Sequence, residues 1–160
     1  MNQSFDHSFE QSATMSLAYS AEAIFPLLCP VLEYQWIPTW KCEMLNSYSG
    51  VNELGCVFRT KLDEEIGEQV WVTCIFEPNK KVGFVCTNAY YCIRFTVTLV
   101  ENGKRTNLTW HQQLVPLNKE GEQVLKKKDP QEYCKLIKSL EKMLDHYLSR
   151  GEMIKIDSLG

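Results

Sequence analysis

The chain has 160 residues, 44% apolar, 23% charged and 11% aromatic, with a net charge of −3 spread along its length. That length suits one domain, residues 1–160, with a sizeable core, and the charge balance excludes the basic footprint that nucleic acid or an anionic membrane surface requires. Seven cysteines (Cys29, Cys42, Cys56, Cys74, Cys86, Cys92 and Cys134) form no C-x-x-C pair and, being odd in number, no closed disulfide framework; they are read as reduced, mostly buried small hydrophobes. Met1 to Ser4 carries no basic or apolar run, and no apolar stretch approaches the roughly 20 residues of a membrane span, so a cytoplasmic protein without integral membrane insertion is expected.

The first strand is read from parity. Phe5, Phe9, Ala13, Met15, Leu17 and Tyr19 fall on one side, and Asp6, Ser8, Glu10, Ser12, Thr14 and Ser16 on the other, which means one buried face. Ser20 caps a short helix running through Ala23 to Leu28, and Pro30 forces a break before a second short segment, Val31 to Trp36, stopped by Pro38. Six strands are then predicted, at 41–48, 56–62, 68–77, 81–87, 91–101 and 105–116. Turn signals separate them, Asn102-Gly103 being a two-residue hairpin type. In 91–101 the inward set is Tyr91, Ile93, Phe95, Val97 and Leu99; in 105–116 it is Leu108, Trp110 and Leu114. Over 68–77 the even residues Val70, Val72, Cys74 and Phe76 compete with Trp71 and Ile75, so both faces of that strand are expected to be covered. Lys126-Lys127-Lys128 ends an amphipathic piece, 120–128, as a solvated helix end.

The last element is the most legible. Asp129 as N-cap, Pro130 in the first turn and Glu132 at the third position predict a capping box, and Gly151 predicts the stop. Between them Tyr133, Leu136, Ile137, Leu140, Met143, Leu144, Tyr147 and Leu148 recur at helical spacing, while Lys135, Lys138, Glu141, Lys142, Asp145 and His146 take the wet side. At 1.5 Å per residue such a helix reaches about 30 Å, enough to lie across a whole curved sheet.

This order of elements, together with Glu33-Tyr34-x-Trp36-Ile37-Pro38-x-Trp40, Gly55-Cys56-Val57-Phe58, Trp71, Glu77-Pro78, Leu117-Asn118-x-Glu120-Gly121 and His146-Tyr147-Leu148, resembles the START-like (SRPBCC) superfamily, in particular its polyketide cyclase/dehydratase-like and lipid-transport-like members. The resemblance covers nearly the whole chain. It implies an α+β helix-grip fold: a curved antiparallel sheet of about seven strands wrapped around the long C-terminal helix, two short helices after the first strand, and an elongated apolar cavity between sheet and helix. It further implies Trp36 and Trp40 near the cavity mouth and the inner helix stripe as one wall.

Recognised catalytic patterns are absent from the sequence. The three histidines are far apart (His7 in the first strand, His111 on an outward face, His146 on the wet side of the helix), none at ligand spacing to Cys, Asp or Glu. No H-E-x-x-H, G-x-S-x-G, phosphate-binding loop or dinucleotide fingerprint occurs, so no metal site and no cofactor are expected. Gln112 and Thr60, at inward parity, either orient a polar group of a ligand or satisfy neighbouring backbone. Arg59 and Arg94 have outward parity and are read as sheet-surface charges. Glu33 is either a general acid or base desolvated by a pocket, or an exposed loop carboxylate. The aromatic group Tyr34, Trp36, Trp40, Phe84, Tyr90, Tyr91, Phe95 and Trp110 either stacks on a flat ligand or simply fills the core.

Three functions compete. The first is binding of a hydrophobic small molecule (lipid, polyketide, isoprenoid or aromatic) by a monomer or homodimer, with Trp36, Trp40, Phe58, Phe95, Trp110, Gln112, Tyr133, Ile137, Leu140 and Leu144 as candidate ligand-binding residues. The second is a cofactor-free cyclase or dehydratase using the same cavity, with Glu33 and Gln112 as candidate catalytic groups. The third is a protein-interaction or co-chaperone module with a closed core. Cavity volume separates the third from the others.

Overall fold

The computed structural model describes residues 7–159. Strand β1 (Phe9–Leu17) is followed by a helix of one turn, α1 (Ala21–Ile24), and two 3-10 turns, Phe25–Leu27 and Leu32–Gln35. Ser20 caps α1 by accepting from the Ala23 amide at 3.2 Å, and Pro26 converts what was expected as one helix to Leu28 into the tighter turn. Strands β2 (Glu43–Asn46), β3 (Val57–Thr60), β4 (Gln69–Glu77), β5 (Lys81–Thr87), β6 (Tyr91–Asn102) and β7 (Arg105–Pro116) come next, then α2 (Lys119–Lys126) and α3 (Pro130–Arg150). β2 and β3 are shorter than expected. Phe5 and Asp6 lie outside the described residues, His7 precedes β1 rather than lying in it, and Tyr19 follows it.

The seven strands form one antiparallel sheet in the order β1-β7-β6-β5-β4-β3-β2. Successive hairpins build the meander, and β7 then pairs with β1 from Phe9 opposite Leu114 to Leu17 opposite Thr106. The competing parities in β4 have a physical cause. A register shift between Thr73 and Ile75 leaves Cys74 as the extra residue of a bulge, so inward positions are odd before it (Trp71, Thr73) and even after it (Phe76). Phe76 accordingly packs edge-on against Phe25 at 5.4 Å. The outer face, expected to be covered, is open: Val70 and Val72 are exposed.

Helix α3 crosses the inner face and lies along β1. Ile137 and Leu144 are buried beneath it. Glu141, expected on the wet side, turns back to the sheet, where its Oε2 accepts from the Ser16 amide at 2.8 Å; a carboxylate there satisfies an edge N–H that would otherwise be orphaned. Asp129 caps the helix through the Gln131 amide at 2.9 Å, and Gly151 ends it at φ 70. The expected capping box stays open, since no bond from Glu132 to the Asp129 amide occurs among the described residues. Asp129→Ala is expected to destabilise the protein by about 1 kcal/mol through the orphaned amide. Gly151→Val should cost at least as much, because a β-branched residue is strained at positive φ although no atom lies within 4 Å of its Cβ position. Chemical denaturation checks both; unchanged midpoints contradict these helix ends.

The seven cysteines are all free, with Cys29, Cys56 and Cys86 buried but Cys74 and Cys134 exposed, so burial is less general than composition suggested. Among the described residues no helix is long and apolar enough to cross a membrane.

Candidate functional site

Five neighbouring strands each contribute an aromatic ring to one patch of the inner face. Phe58 of β3 sits opposite Trp71 of β4 and stacks on it, with centroids 5.7 Å apart and planes 4° apart. Phe84 of β5 sits opposite Phe95 of β6, stacked at 5.8 Å, and Phe95 meets Trp110 of β7 at 5.7 Å. Edge-to-face contacts from Trp71 to Phe84 at 6.1 Å and to Phe95 at 6.2 Å tie the two stacks together. The ladder exists because the alternation of each strand places its ring inward, either directly opposite the next ring (Phe58 and Trp71, Phe84 and Phe95) or on the diagonal to it (Trp71 and Phe84, Phe95 and Trp110).

Helix α3 does not close down on this floor. A cavity of about 300 Å³ remains between them, floored by Phe58, Trp71, Phe84, Phe95, Trp110 and Gln112 and roofed by Tyr133, Leu136, Ile137, Leu140 and Met143. Its rim is Pro30, Glu33, Ile37, Thr39, Trp40 and Leu62. Side-chain bonds brace the rim: Trp40 Nε1 donates to the Pro30 carbonyl at 2.7 Å, Tyr34 Oη donates to the Cys42 carbonyl at 2.9 Å, and Tyr147 Oη of α3 donates to Gln35 Oε1 at 2.5 Å. A second hollow of about 290 Å³ adjoins, sharing Trp71, Gln112, Tyr133 and Leu136, with Gln11, Gln69, Lys128, Asp129 and Glu132 making it more polar.

Of the residues expected to bind ligand, Trp40, Phe58, Phe95, Trp110, Gln112, Tyr133, Ile137 and Leu140 line the cavity. Trp36 and Leu144 do not. Trp36 is fully buried in the core, where its indole N–H donates to the Leu27 carbonyl at 2.9 Å, because the tight turn Leu32–Gln35 points it back at the Phe25–Leu27 turn and away from the mouth. Leu144 lies one turn beyond Leu140 on the sealed part of the helix stripe. Thr60 is taken by its neighbour, its hydroxyl accepting from Trp71 Nε1 at 3.0 Å. Arg59 faces outward between Glu43 and Glu68, at 3.8 and 3.7 Å, and Arg94 is exposed. Trp71, Ile37 and Met143 were not among the candidates, and Phe84 stood only in the aromatic group weighed between stacking on a ligand and filling the core. Trp71 was hidden by the bulge, whereas Phe84 and Met143 carried the right parity or helical phase.

Three polar features distinguish the lining. Glu33 is held by a rigid turn, its amide donating to the Cys29 carbonyl at 2.8 Å and its own carbonyl receiving the Trp36 and Ile37 amides. No hydrogen bond or ion pair reaches its carboxyl among the described residues, and burial pushes its pKa from 4.5 up to about 8. The residue keeps some accessible surface, and it lines the cavity. Gln112 is half-engaged, its Oε1 accepting from Gln11 Nε2 at 2.7 Å. Trp110 Nε1 and Tyr133 Oη are buried without a partner, and desolvation holds the Tyr133 phenol well above its ordinary pKa, so it remains a donor.

The Glu33 shift has a stability consequence of definite sign. The folded state holds this proton more tightly than the unfolded chain, so stability falls as pH climbs from about 4.5 to about 8 and the penalty is complete above that. Glu33→Gln removes the titration. It is expected to stabilise the protein by about 1–2 kcal/mol at pH 9 and by little at pH 5, less than complete desolvation implies because a side chain on a surface turn can swing toward water. Denaturant midpoints at the two pH values check this; an equal effect at both places the carboxyl in solvent.

No family model matches the chain, and no curated protein matches it. Solved structures do. A point mutant of norcoclaurine synthase from Thalictrum flavum in complex with a transition-state analogue superposes with a TM-score of 0.64 at 12% identity, over 86% of this chain and 94% of that one. Protein MLL2253 from Mesorhizobium loti gives 0.62 at 16% identity, over 86% and 98%. DynU16, from the dynemicin biosynthetic locus, gives 0.60 at 16% identity over 89% of this chain, which spans about half (48%) of DynU16. At these identities the likeness shows the fold, the helix-grip arrangement of a curved seven-stranded antiparallel sheet around a long C-terminal helix.

Proposed function

We propose that this chain acts as a single START-like domain that binds a hydrophobic small molecule, of lipid, polyketide, isoprenoid or aromatic type, between sheet and helix and without a cofactor. The observation that carries the reading is the roughly 300 Å³ cavity, walled by stacked aromatic rings and aliphatic helix residues. Packed interiors leave few voids larger than a water molecule. An opening of this size with an apolar lining is what an apolar ligand fills, and it weighs against an interaction module with a closed core. Trp40, Phe58, Phe95, Trp110, Tyr133, Ile137 and Leu140 supply the contact surface, with Gln112 as a polar orienting group.

A second reading, a cyclase- or dehydratase-like enzyme on the same cavity, is favoured by Glu33 alone. A carboxyl with a pKa of about 8 is mostly protonated at neutral pH yet close enough to it to give and regain a proton, as a general acid requires. Norcoclaurine synthase, similar in fold, is an enzyme bound to a transition-state analogue, and DynU16 belongs to a biosynthetic locus; both fit either reading.

The test is native mass spectrometry of the purified protein against its denatured mass, together with titration of the neutral probe N-phenyl-1-naphthylamine. A one-to-one complex of about micromolar affinity is expected, quenching or shifting tryptophan emission through Trp40, Trp71 and Trp110. A folded protein that retains no molecule and binds no apolar probe overturns the reading.

A further inference from the structure

We propose that the second hollow is the head-group end of the same ligand site. There Gln11, Gln69 and Gln112 hold an uncharged group that both donates and accepts hydrogen bonds, a carboxamide or a hydroxyl, while the apolar body of the molecule lies on the ring floor. This rests on the binding reading above and adds the chemistry of what is bound.

The three glutamines come from separate strands, β1, β4 and β7, and line one hollow of about 290 Å³. Gln11 and Gln112 face each other across β1 and β7 and are joined by the 2.7 Å bond from Gln11 Nε2 to Gln112 Oε1. One such bond between two primary amides leaves a carbonyl on one side chain and an NH2 on the other, and exchanging the two roles leaves the same inventory. Gln69 Oε1 accepts from Asn88 Nδ2 at 3.1 Å and from Cys86 Sγ at 3.4 Å, which leaves its NH2. Burial does not seal these groups. Among the described residues the buried side-chain polar atoms without a partner are Asn52 Nδ2, Arg59 Nε, Trp110 Nε1 and Tyr133 Oη, so Gln11 Oε1, Gln69 Nε2 and Gln112 Nε2 keep accessible surface.

The hollow shares Trp71, Gln112, Tyr133 and Leu136 with the main cavity, and Gln112 stands directly opposite Phe95 of the ring floor. A polar group at the end of a skeleton lying on the rings therefore arrives among the glutamines. Their neighbours at inward parity, Phe9 and Ala13 on β1 and Trp110 and Leu114 on β7, are apolar, so the polarity is local; a few convergent polar groups in an otherwise apolar site fix the orientation of a ligand. The sheet side of the hollow carries no charge, since Lys128, Asp129 and Glu132 come from the segment that opens α3. Lys128 Nζ lies 5.6 Å over the Tyr91 ring, and Asp129 Oδ1 is committed to the Gln131 amide. An ionised head among the amides would lose its hydration without gaining a matching counter-charge. A ketone would meet the two NH2 groups and leave the Gln11 carbonyl unmet, whereas a carboxamide or a hydroxyl meets both kinds of group.

The test is calorimetric titration of 2-naphthamide, 2-naphthalenemethanol, 2-methylnaphthalene and 2-naphthoate, which share one flat ring pair and differ in the head, into the wild type, Gln11→Met and Gln69→Met. Methionine keeps the length of the side chain and removes the amide, and neither position lines the main cavity. Each variant is expected to weaken the amide and the alcohol by about fivefold, the worth of one net hydrogen bond, while holding 2-methylnaphthalene within about threefold of wild type; the larger of the two losses identifies the preferred head. A variant that loses 2-methylnaphthalene as well has lost its cavity, and the other one decides; the same loss in both makes the glutamines part of the packing and overturns the proposal. Amide and alcohol affinities that stay at the wild-type value in both variants, or that shift only as 2-methylnaphthalene does, overturn the head-group site and leave hydrophobic binding standing. So does a wild type that binds 2-methylnaphthalene and excludes both the amide and the alcohol. Tighter binding of 2-naphthoate than of either neutral head overturns the choice of an uncharged group, and failure of the wild type to bind any of the four overturns hydrophobic binding itself.

Discussion

Gly121→Ala is expected to destabilise the protein by about 3 kcal/mol or more, the reverse of what helix propensity alone gives. In an open helix the exchange gains up to about 1 kcal/mol. Here a Cβ at Gly121 would lie 2.0 Å from the Tyr90 carbonyl oxygen and 2.9 Å from its carbon. Both are backbone, so no rotamer change relieves the clash. Nor can the turn slide away. The Leu117 amide donates to that same Tyr90 oxygen at 2.8 Å, Asn118 Nδ2 donates to the Ala89 carbonyl at 2.8 Å, and Asn118 Oδ1 caps α2 through the Gly121 amide at 2.8 Å. The Leu117-Asn118-x-Glu120-Gly121 sequence is thus a docking device: the asparagine clamps helix start to turn, and the glycine lets backbone approach backbone. Lifting α2 away also loosens Leu125 over the buried set of Cys86, Tyr91, Ile93 and Leu114. Overpacking of this kind costs up to about 3 kcal/mol where neighbours adjust and more where they cannot. For a chain of this size that corresponds to a melting point lowered by about 6–12 °C. A raised or unchanged melting point means that α2 does not pack on the Tyr90 turn.

Legibility from sequence followed the range of the interactions involved. Strands β5 and β7, and the caps of α3 at Asp129 and Gly151, were readable because parity, turn residues and capping chemistry act within a few positions. Errors began where the determining contact lies far along the chain. Trp71 could not be assigned a face because the bulge at Cys74 resets alternation midway through β4, and nothing local in that strand marks it. Glu141 has the helical phase of a solvent-facing residue, but the Ser16 amide, 125 positions away, draws it inward. Glu33 reads more readily as an exposed loop carboxylate than as a pocket acid. Only the tertiary placement of its 3-10 turn beside the cavity desolvates the carboxyl and so disfavours its charged form. Trp36 carried the resemblance's implication of a mouth residue, whereas its indole N–H is consumed by Leu27, nine residues back.

Leu140 and Leu144 are one helical turn apart and chemically identical, and they are expected to fail in opposite ways. Leu144 is fully buried among core residues and borders no cavity, so Leu144→Ala removes packed methyl groups that the surroundings cannot replace, costing about 3 kcal/mol. Because the cavity wall is untouched, the variant, where folded, should still bind N-phenyl-1-naphthylamine within about threefold of wild type. Leu140 is only half-buried and its side chain borders the open volume. Leu140→Trp therefore places an indole where a ligand would lie, and probe affinity should fall at least tenfold, about 1.4 kcal/mol. Stability should change by less than about 1 kcal/mol, since the added ring fills space instead of displacing packed atoms. Lys138→Ala supplies the control on the solvent face: it removes a 3.5 Å exposed contact with Glu141, worth at most about 0.5 kcal/mol, and leaves binding unchanged. Denaturant titration and probe titration of the three variants decide the matter. A loss of probe binding shared equally by Leu140→Trp and Lys138→Ala, or a Leu140→Trp protein that binds as well as wild type, removes the cavity as the binding site, whatever Leu144→Ala does to stability.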